Sequence, residues 1–236
     1  MRSRRSLTVL MTVATVLTAT AAAADASSDR PVAIWAMNER SGAQTMMDSS
    51  GRGLHGRIGS EVRTDTRAAG ATGYRFDRLQ PDSPPPHPEH VITVRDADAL
   101  DPGIRDFAVT ARLRTTGQFG NIIQKGQATV PGGSFKMQIP SGIVECLFRG
   151  PYRSLVVSSS PRRLNDGRWH TVRCARLGYG VTLTVDGETV ARRSGWTGRI
   201  ENSWPVSIGG KTVCDQIHVG CDYYAGDLDY VEIDAR

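Results

Sequence analysis

Apolar and polar residues alternate in short runs along this chain. Phe107, Val109, Ala111 and Leu113 interleave with Ala108, Thr110, Arg112 and Arg114. Val181, Leu183 and Val185 interleave with Thr182 and Thr184, and Met137 and Ile139 with Lys136 and Gln138. A period of two sends successive side chains to opposite faces, so each run predicts an antiparallel strand that packs on a core by one face. After the N-terminal leader, no run of helical period exceeds two turns. Asp186-Gly187 lies between Val181–Val185 and a further run over Glu188–Ala191. A two-residue Asp-Gly link predicts a hairpin, because both central positions need positive φ. About a dozen or more such strands, punctuated by turn residues, predict an all-β fold of two face-to-face antiparallel sheets. One stretch breaks the pattern: Gln80–His90 holds Pro81, Pro84, Pro85, Pro86 and Pro88. Proline cannot donate to a ladder, which predicts a loop between Tyr74–Phe76 and a strand near Val91–Val94. Too little chain precedes it for a separate domain.

The first 26 residues read differently. Arg2, Arg4 and Arg5 precede an apolar stretch from Leu7 to Leu17, and Ala21–Ala26 offers the small-residue triplets Ala22-Ala23-Ala24 and Ala24-Asp25-Ala26. That layout predicts a secretory signal peptide over residues 1–26 and a mature domain over 27–236. The apolar stretch is too short and too rich in threonine for a membrane span. Export therefore predicts a secreted protein. The chain of 236 residues is 39% hydrophobic and 22% charged, which excludes a disordered polymer. Its formal charge of +5 includes the three leader arginines, and the remaining basic residues are scattered among acids. Nothing in that distribution predicts a nucleic-acid partner.

An exported chain forms disulfides, and Cys146, Cys174, Cys214 and Cys221 allow three pairings. Cys146 shares its phase with Val144 and Phe148, and Cys174 with Val172. Both are therefore expected to point to the core from neighbouring strands and to pair there, leaving Cys214 and Cys221 to clip a turn-rich loop. Cys214, His218 and Cys221 have zinc-like spacing, but they lack a fourth ligand and an oxidising compartment disfavours free thiolates.

Several segments, taken in order, resemble the laminin G-like, concanavalin A-like jelly roll of lectins and pentraxins. They are Trp35-Ala-Met-Asn-Glu39-Arg-Ser-Gly42, Asp48-Ser-Ser-Gly51-Arg-Gly53, Leu100-Asp-Pro-Gly103, Asp106-Phe107 with the run after it, Asp166-Gly-Arg-Trp169-His170, Ile208-Gly-Gly210 and Ala225-Gly-Asp227-Leu-Asp229. Trp35 and Trp169 read as large core residues. The resemblance implies a two-sheet sandwich that often carries calcium and often recognises glycans or extracellular proteins. It also implies that the first and last strands lie side by side. Asp48, in an oxygen-rich turn, and Asp229, in phase with Val231 and Ile233, would then be the calcium ligands, with Asp227 a third candidate. The bland alternative is that each accepts turn hydrogen bonds. Asp227, Asp229 and Glu232 also resemble the carboxylate strand of glucanases that share this sandwich. Without a bulge, however, Glu232 faces away from the other two. Sugar binding would use aromatics beside turns: Trp196 and Tyr223 foremost, with Trp204, Tyr152 and Tyr179 as further candidates. The sequence thus predicts a secreted, non-catalytic binding module for a cell-wall or matrix glycan. A glycosidase and a protein-adhesion module are the alternatives.

Overall fold

The computed structural model describes residues 31–80, 85–214 and 221–236. The predicted leader, His218 and part of the proline-rich loop lie outside them. Sixteen strands form: β1 (Ala33–Trp35), β2 (Thr45–Met46), β3 (Gly56–Ile58), β4 (Arg63–Ala68), β5 (Ala71–Phe76), β6 (Ile92–Val94), β7 (Phe107–Arg114), β8 (Asn121–Lys125), β9 (Ser134–Gln138), β10 (Glu145–Arg149), β11 (Ser154–Ser158), β12 (Trp169–Arg176), β13 (Gly180–Val185), β14 (Glu188–Ser194), β15 (Val206–Ile208) and β16 (Gly226–Ala235). One sheet runs β14-β13-β12-β7-β16-β5-β4, with β1 also paired to β16; the other runs β11-β10-β9-β8-β15-β6-β3-β2. Every pairing is antiparallel, as runs with one polar face require. Among the described residues, helix is confined to three single 3-10 turns. None of the helices found there is long and apolar enough to cross a membrane. Asp186 and Gly187 have φ of 51° and 85°, the left-handed pair that the β13–β14 hairpin needs.

The inward residues of the two sheets meet in one core. Val109, Ala111 and Leu113 of β7 and Val172 of β12 are buried with Ile123, Met137 and Phe148 of the opposite sheet. Phe107, Phe135 and Phe148 form a ring cluster with centroids 5.1–6.3 Å apart. Cys146 and Cys174 are bonded, with Cα atoms 5.5 Å apart. They lie on β10 and β12, strands of different sheets rather than neighbours, so the bridge crosses the core. Cys214 pairs with Cys221. Trp35 is fully buried and donates its indole N–H to the Leu54 carbonyl at 2.8 Å. Trp169 departs from its expected core position. It lies half-buried on the outer face, where the Arg112 guanidinium stacks 4.8 Å over its ring and its indole N–H reaches Ala68 O at 2.9 Å. His170 is buried between Asp166 and Asp186 at 3.0 and 2.8 Å and ties the bend at 166–168 to the β13–β14 hairpin.

Candidate binding site

The acids of the final strand come first, because three readings rest on them. β1 and β16 do pair, Trp35 opposite Val231. Asp48, however, bridges to the other edge of Trp35. Two inter-strand steps, about 9–10 Å, therefore separate it from β16, too far to share a cation with Asp229. Each carboxylate also has its own partners. Asp48 accepts from the backbone N–H of Ile34 (3.1 Å), Ser50 (2.9 Å) and Leu54 (2.9 Å) and from the Ser50 hydroxyl (2.8 Å). Four donors occupy its lone pairs, leaving no lone-pair direction for a cation. Asp229 is the extra residue of a β-bulge against β7, between Leu228 and Tyr230. Leu228 and Val231, three residues apart, both reach the core, while Asp229 swings out onto Arg112. Strict alternation had pointed it inward. The structure thus keeps Asp48 and Asp229 apart, each engaged by donors of its own. Among the described residues there is no group of three His, Cys, Asp or Glu placed to hold a metal.

The same bulge puts Glu232 on the outer face with Asp227, which simple alternation had separated. The acids are nevertheless engaged individually. Asp227 is buried and held by Arg75 at 3.0 Å and Arg114 at 2.7 Å, and Glu232 accepts from the Tyr230 hydroxyl. Asp227 and Asp229 are arginine-paired and Glu232 is tied to a tyrosine, contacts that brace the sheet.

Burial pushes the Asp48 carboxyl up, yet the four donors outweigh it and hold its pKa below the ordinary 3.8. A carboxyl lowered by folding stabilises the protein above its unfolded pKa, and that contribution is lost as pH falls through the folded value. Asp48→Asn turns part of the acceptor into a donor facing donors. The expected cost is about 1–3 kcal/mol at neutral pH. Urea titrations should show the gap between wild type and variant narrowing below about pH 4. A gap independent of pH would contradict the assignment.

Of the candidate aromatics, Tyr152, Tyr179 and Trp196 are exposed and gather at one end of the sandwich. There the segments 95–106, 126–133, 150–153, 177–179 and 195–205 meet, and two inward cations organise them. Lys125, in register between Phe135 and Val206, is fully buried. Its ammonium lies 2.7 Å from Asp101 and 2.8 Å from Asp96 and donates to Asn202 O. Arg176, in phase with Val172 and Cys174, donates to the carbonyls of Pro102 (2.9 Å), Gly103 (3.1 Å), Arg105 (2.6 Å) and Gly198 (3.3 Å). Burial pulls the Arg176 pKa down to about 10, where it remains charged at neutral pH. Both cations replace the water that these loop carbonyls would otherwise need. The sequence signal was clear for Arg176, in phase with core residues, and slight for Lys125, with only Ile123 before it in phase.

On this fixed frame Tyr152 and Trp196 stack, with ring centroids 4.9 Å apart and planes 20° apart. They are 69% and 47% exposed. Beside them opens a cleft of about 480 Å³ lined by Arg149, Arg199, Glu201, Pro151 and glycines 132, 133 and 150. Its floor requires glycine: Gly132 has φ of 88°, and a Cβ there would sit 1.9 Å from Glu201 O. Arg149 is spent inside the wall on the carbonyls of Gln127, Ala128 and Val130. Arg199 and Glu201 pair at 2.8 Å and stay exposed. A larger groove of about 610 Å³ follows β3 and β6, with Arg57, Arg95 and His55 on its lining but no Trp, Tyr or Phe. Tyr223 lies at the far end of the sandwich, half-buried, its hydroxyl accepting from His87 N and its ring packed edge-on to His87 and His90. It seals that loop, whereas Trp196 is open. Trp204 is partly buried, and Tyr179 is exposed near Trp196.

A family model described as laminin G domain matches residues 113–234. Sex hormone-binding globulin of Phodopus sungorus is 32% identical over 93 residues, 38% of this chain and 23% of that protein, so the chain spans about a quarter of that relative. Among solved structures, domains LG4-5 of the mouse laminin alpha1 chain share 18% identity at a TM-score of 0.50, over 62% of this chain and 40% of that one. The binding domain of Paraclostridial Mosquitocidal Protein 1 shares 12% at 0.60, over 88% and 48%. The binding domain of botulinum neurotoxin serotype D shares 14% at 0.59, over 89% and 48%. These structural likenesses show the sandwich alone. The family match covers the second half of the chain, including the hairpin, the buried Arg176 and the exposed Trp196, and the chain belongs to the laminin G domain family.

Proposed function

We propose that the protein is an exported, non-catalytic recognition module that binds an extracellular glycan at the loop end carrying Tyr152 and Trp196. The observation that carries this reading is the stacked, exposed aromatic pair, which presents a flat apolar face beside a polar cleft. A sugar ring lies on such a face by its C–H surface while Arg199, Glu201 and loop carbonyls take its hydroxyls. The engagement of Asp227 and Asp229 by arginines and of Glu232 by a tyrosine supports binding rather than hydrolysis. The binding role of this fold family supports it further.

A glycan array on the exported protein tests the reading. Trp196→Ala and Tyr152→Ala are each expected to weaken the best hit about tenfold or more. Their melting temperatures should stay near wild type, since both side chains are exposed. Adding calcium or chelator is expected to change neither binding nor melting, because donors already surround Asp48. A blank array under both conditions would overturn the glycan reading and favour an extracellular protein ligand.

A further inference from the structure

We propose that this same end of the sandwich also docks on an anionic lipid surface, its loop tips entering the headgroup layer. The inference goes beyond the glycan reading and does not depend on it. Ile104, Leu177 and Tyr179 are exposed at 64%, 49% and 67%. They sit on neighbouring tips: Arg176 holds the carbonyls of Gly103 and Arg105, and Gly178 N–H donates to Asp106 at 2.6 Å. Gly195 N–H reaches Tyr179 O at 3.3 Å, which sets Trp196 beside them. Exposed apolar side chains this concentrated mark a contact surface.

Two features select a bilayer as the occupant. First, the apolar groups stand on separate protruding tips rather than on one continuous face. A soft interface buries each of them without a shape-matched partner, and Trp and Tyr favour the headgroup level. Second, the charge is complementary. Arg153, Arg192 and Arg193 flank the tips, are exposed, and form no ion pair among the described residues. The would-be Cβ of Gly195 lies 3.0 Å from the Arg153 guanidinium, so that cation lies directly over the strand leading to Trp196. Of the acids near the tips, Asp106 caps Gly178, Glu201 pairs with Arg199, and Asp234 pairs with Arg173. Cations beside apolar tips are the arrangement that holds peripheral proteins on anionic leaflets.

The test is co-sedimentation of the exported protein with phosphatidylcholine vesicles, with and without phosphatidylserine, read together with Trp fluorescence. Phosphatidylserine is expected to strengthen binding roughly tenfold or more, and added salt to weaken it. The double variant Ile104→Asp with Leu177→Asp, and separately Arg192→Glu with Arg193→Glu, should each reduce vesicle binding about tenfold. The first variant should keep its glycan-array hits, because it leaves Tyr152, Trp196 and the cleft intact. Absence of pelleting with either vesicle, or pelleting indifferent to both variants, would overturn lipid docking while leaving the glycan result to stand or fall by itself.

Discussion

Replacing Lys125 by Ala is expected to lower the unfolding free energy by about 3–5 kcal/mol, the cost of removing one partner from a buried charge pair. The ammonium is fully buried and its three protons are committed to Asp101, Asp96 and Asn202 O. Without it, Asp101 stays buried, supported by little more than the Asn202 N–H at 3.2 Å. Burial already pushes the Asp101 carboxyl up against the pull of Lys125, so in the variant the carboxyl should take up a proton more readily still. Asp101→Asn added to Lys125→Ala removes both charges and should recover part of the loss, with Asp101→Asn alone as the fourth corner of the cycle. Urea unfolding of the four proteins completes the cycle, and an additive result would mean that the two groups are not coupled. Because Lys125 and Asp101 both hold Asn202, the variant should also loosen segment 199–205 beside the cleft. A fall in glycan affinity without any change at Trp196 would be its functional trace.

Much of this fold follows from alternation, and the failures have specific causes. β7, β13 and the Asp186-Gly187 hairpin are legible because one face is apolar and the turn demands positive φ. The bulge at Asp229 is invisible to alternation, since it is set by register against β7. One extra residue there turned Asp229 away from the face of Val231 and Ile233 and brought Glu232 onto the face of Asp227. Trp169 read as core because size alone suggests burial, whereas an arginine face and a backbone carbonyl cover it on the outside. At the binding end, the glycines and turns around Trp196 fit a loop face and a core edge equally, and the structure leaves its ring exposed. Its stack on Tyr152 joins segments 44 residues apart that leave different sheets, which no local pattern encodes. Arg176 could have been found, because it follows Val172 and Cys174 in strict phase, whereas Lys125 has only Ile123 before it in phase. A charge in that phase signals loop carbonyls or carboxylates waiting at the end of the core.

Removing the Cys146–Cys174 bridge, as Cys146→Ala with Cys174→Ala, is expected to cost about 3–4 kcal/mol, mainly through the freed unfolded chain. The two cysteines are 28 positions apart, and closing a loop of that length removes substantially more chain entropy than the span of 7 closed by Cys214–Cys221. The bridge also joins β10 to β12, so it ties sheet to sheet where the strands themselves share no backbone hydrogen bonds. Both cysteines are buried, and alanine leaves a small cavity in the core that adds to the loss. The corresponding change at Cys214 and Cys221 should cost about 1–2.5 kcal/mol, since its loop is short. Guanidinium unfolding of both variants, in the absence of reductant, separates the two contributions. The expected order would be reversed only if the inter-sheet packing alone holds β10 on β12, and in that case the phenylalanine cluster beside Cys146, rather than the covalent link, carries the join between the layers.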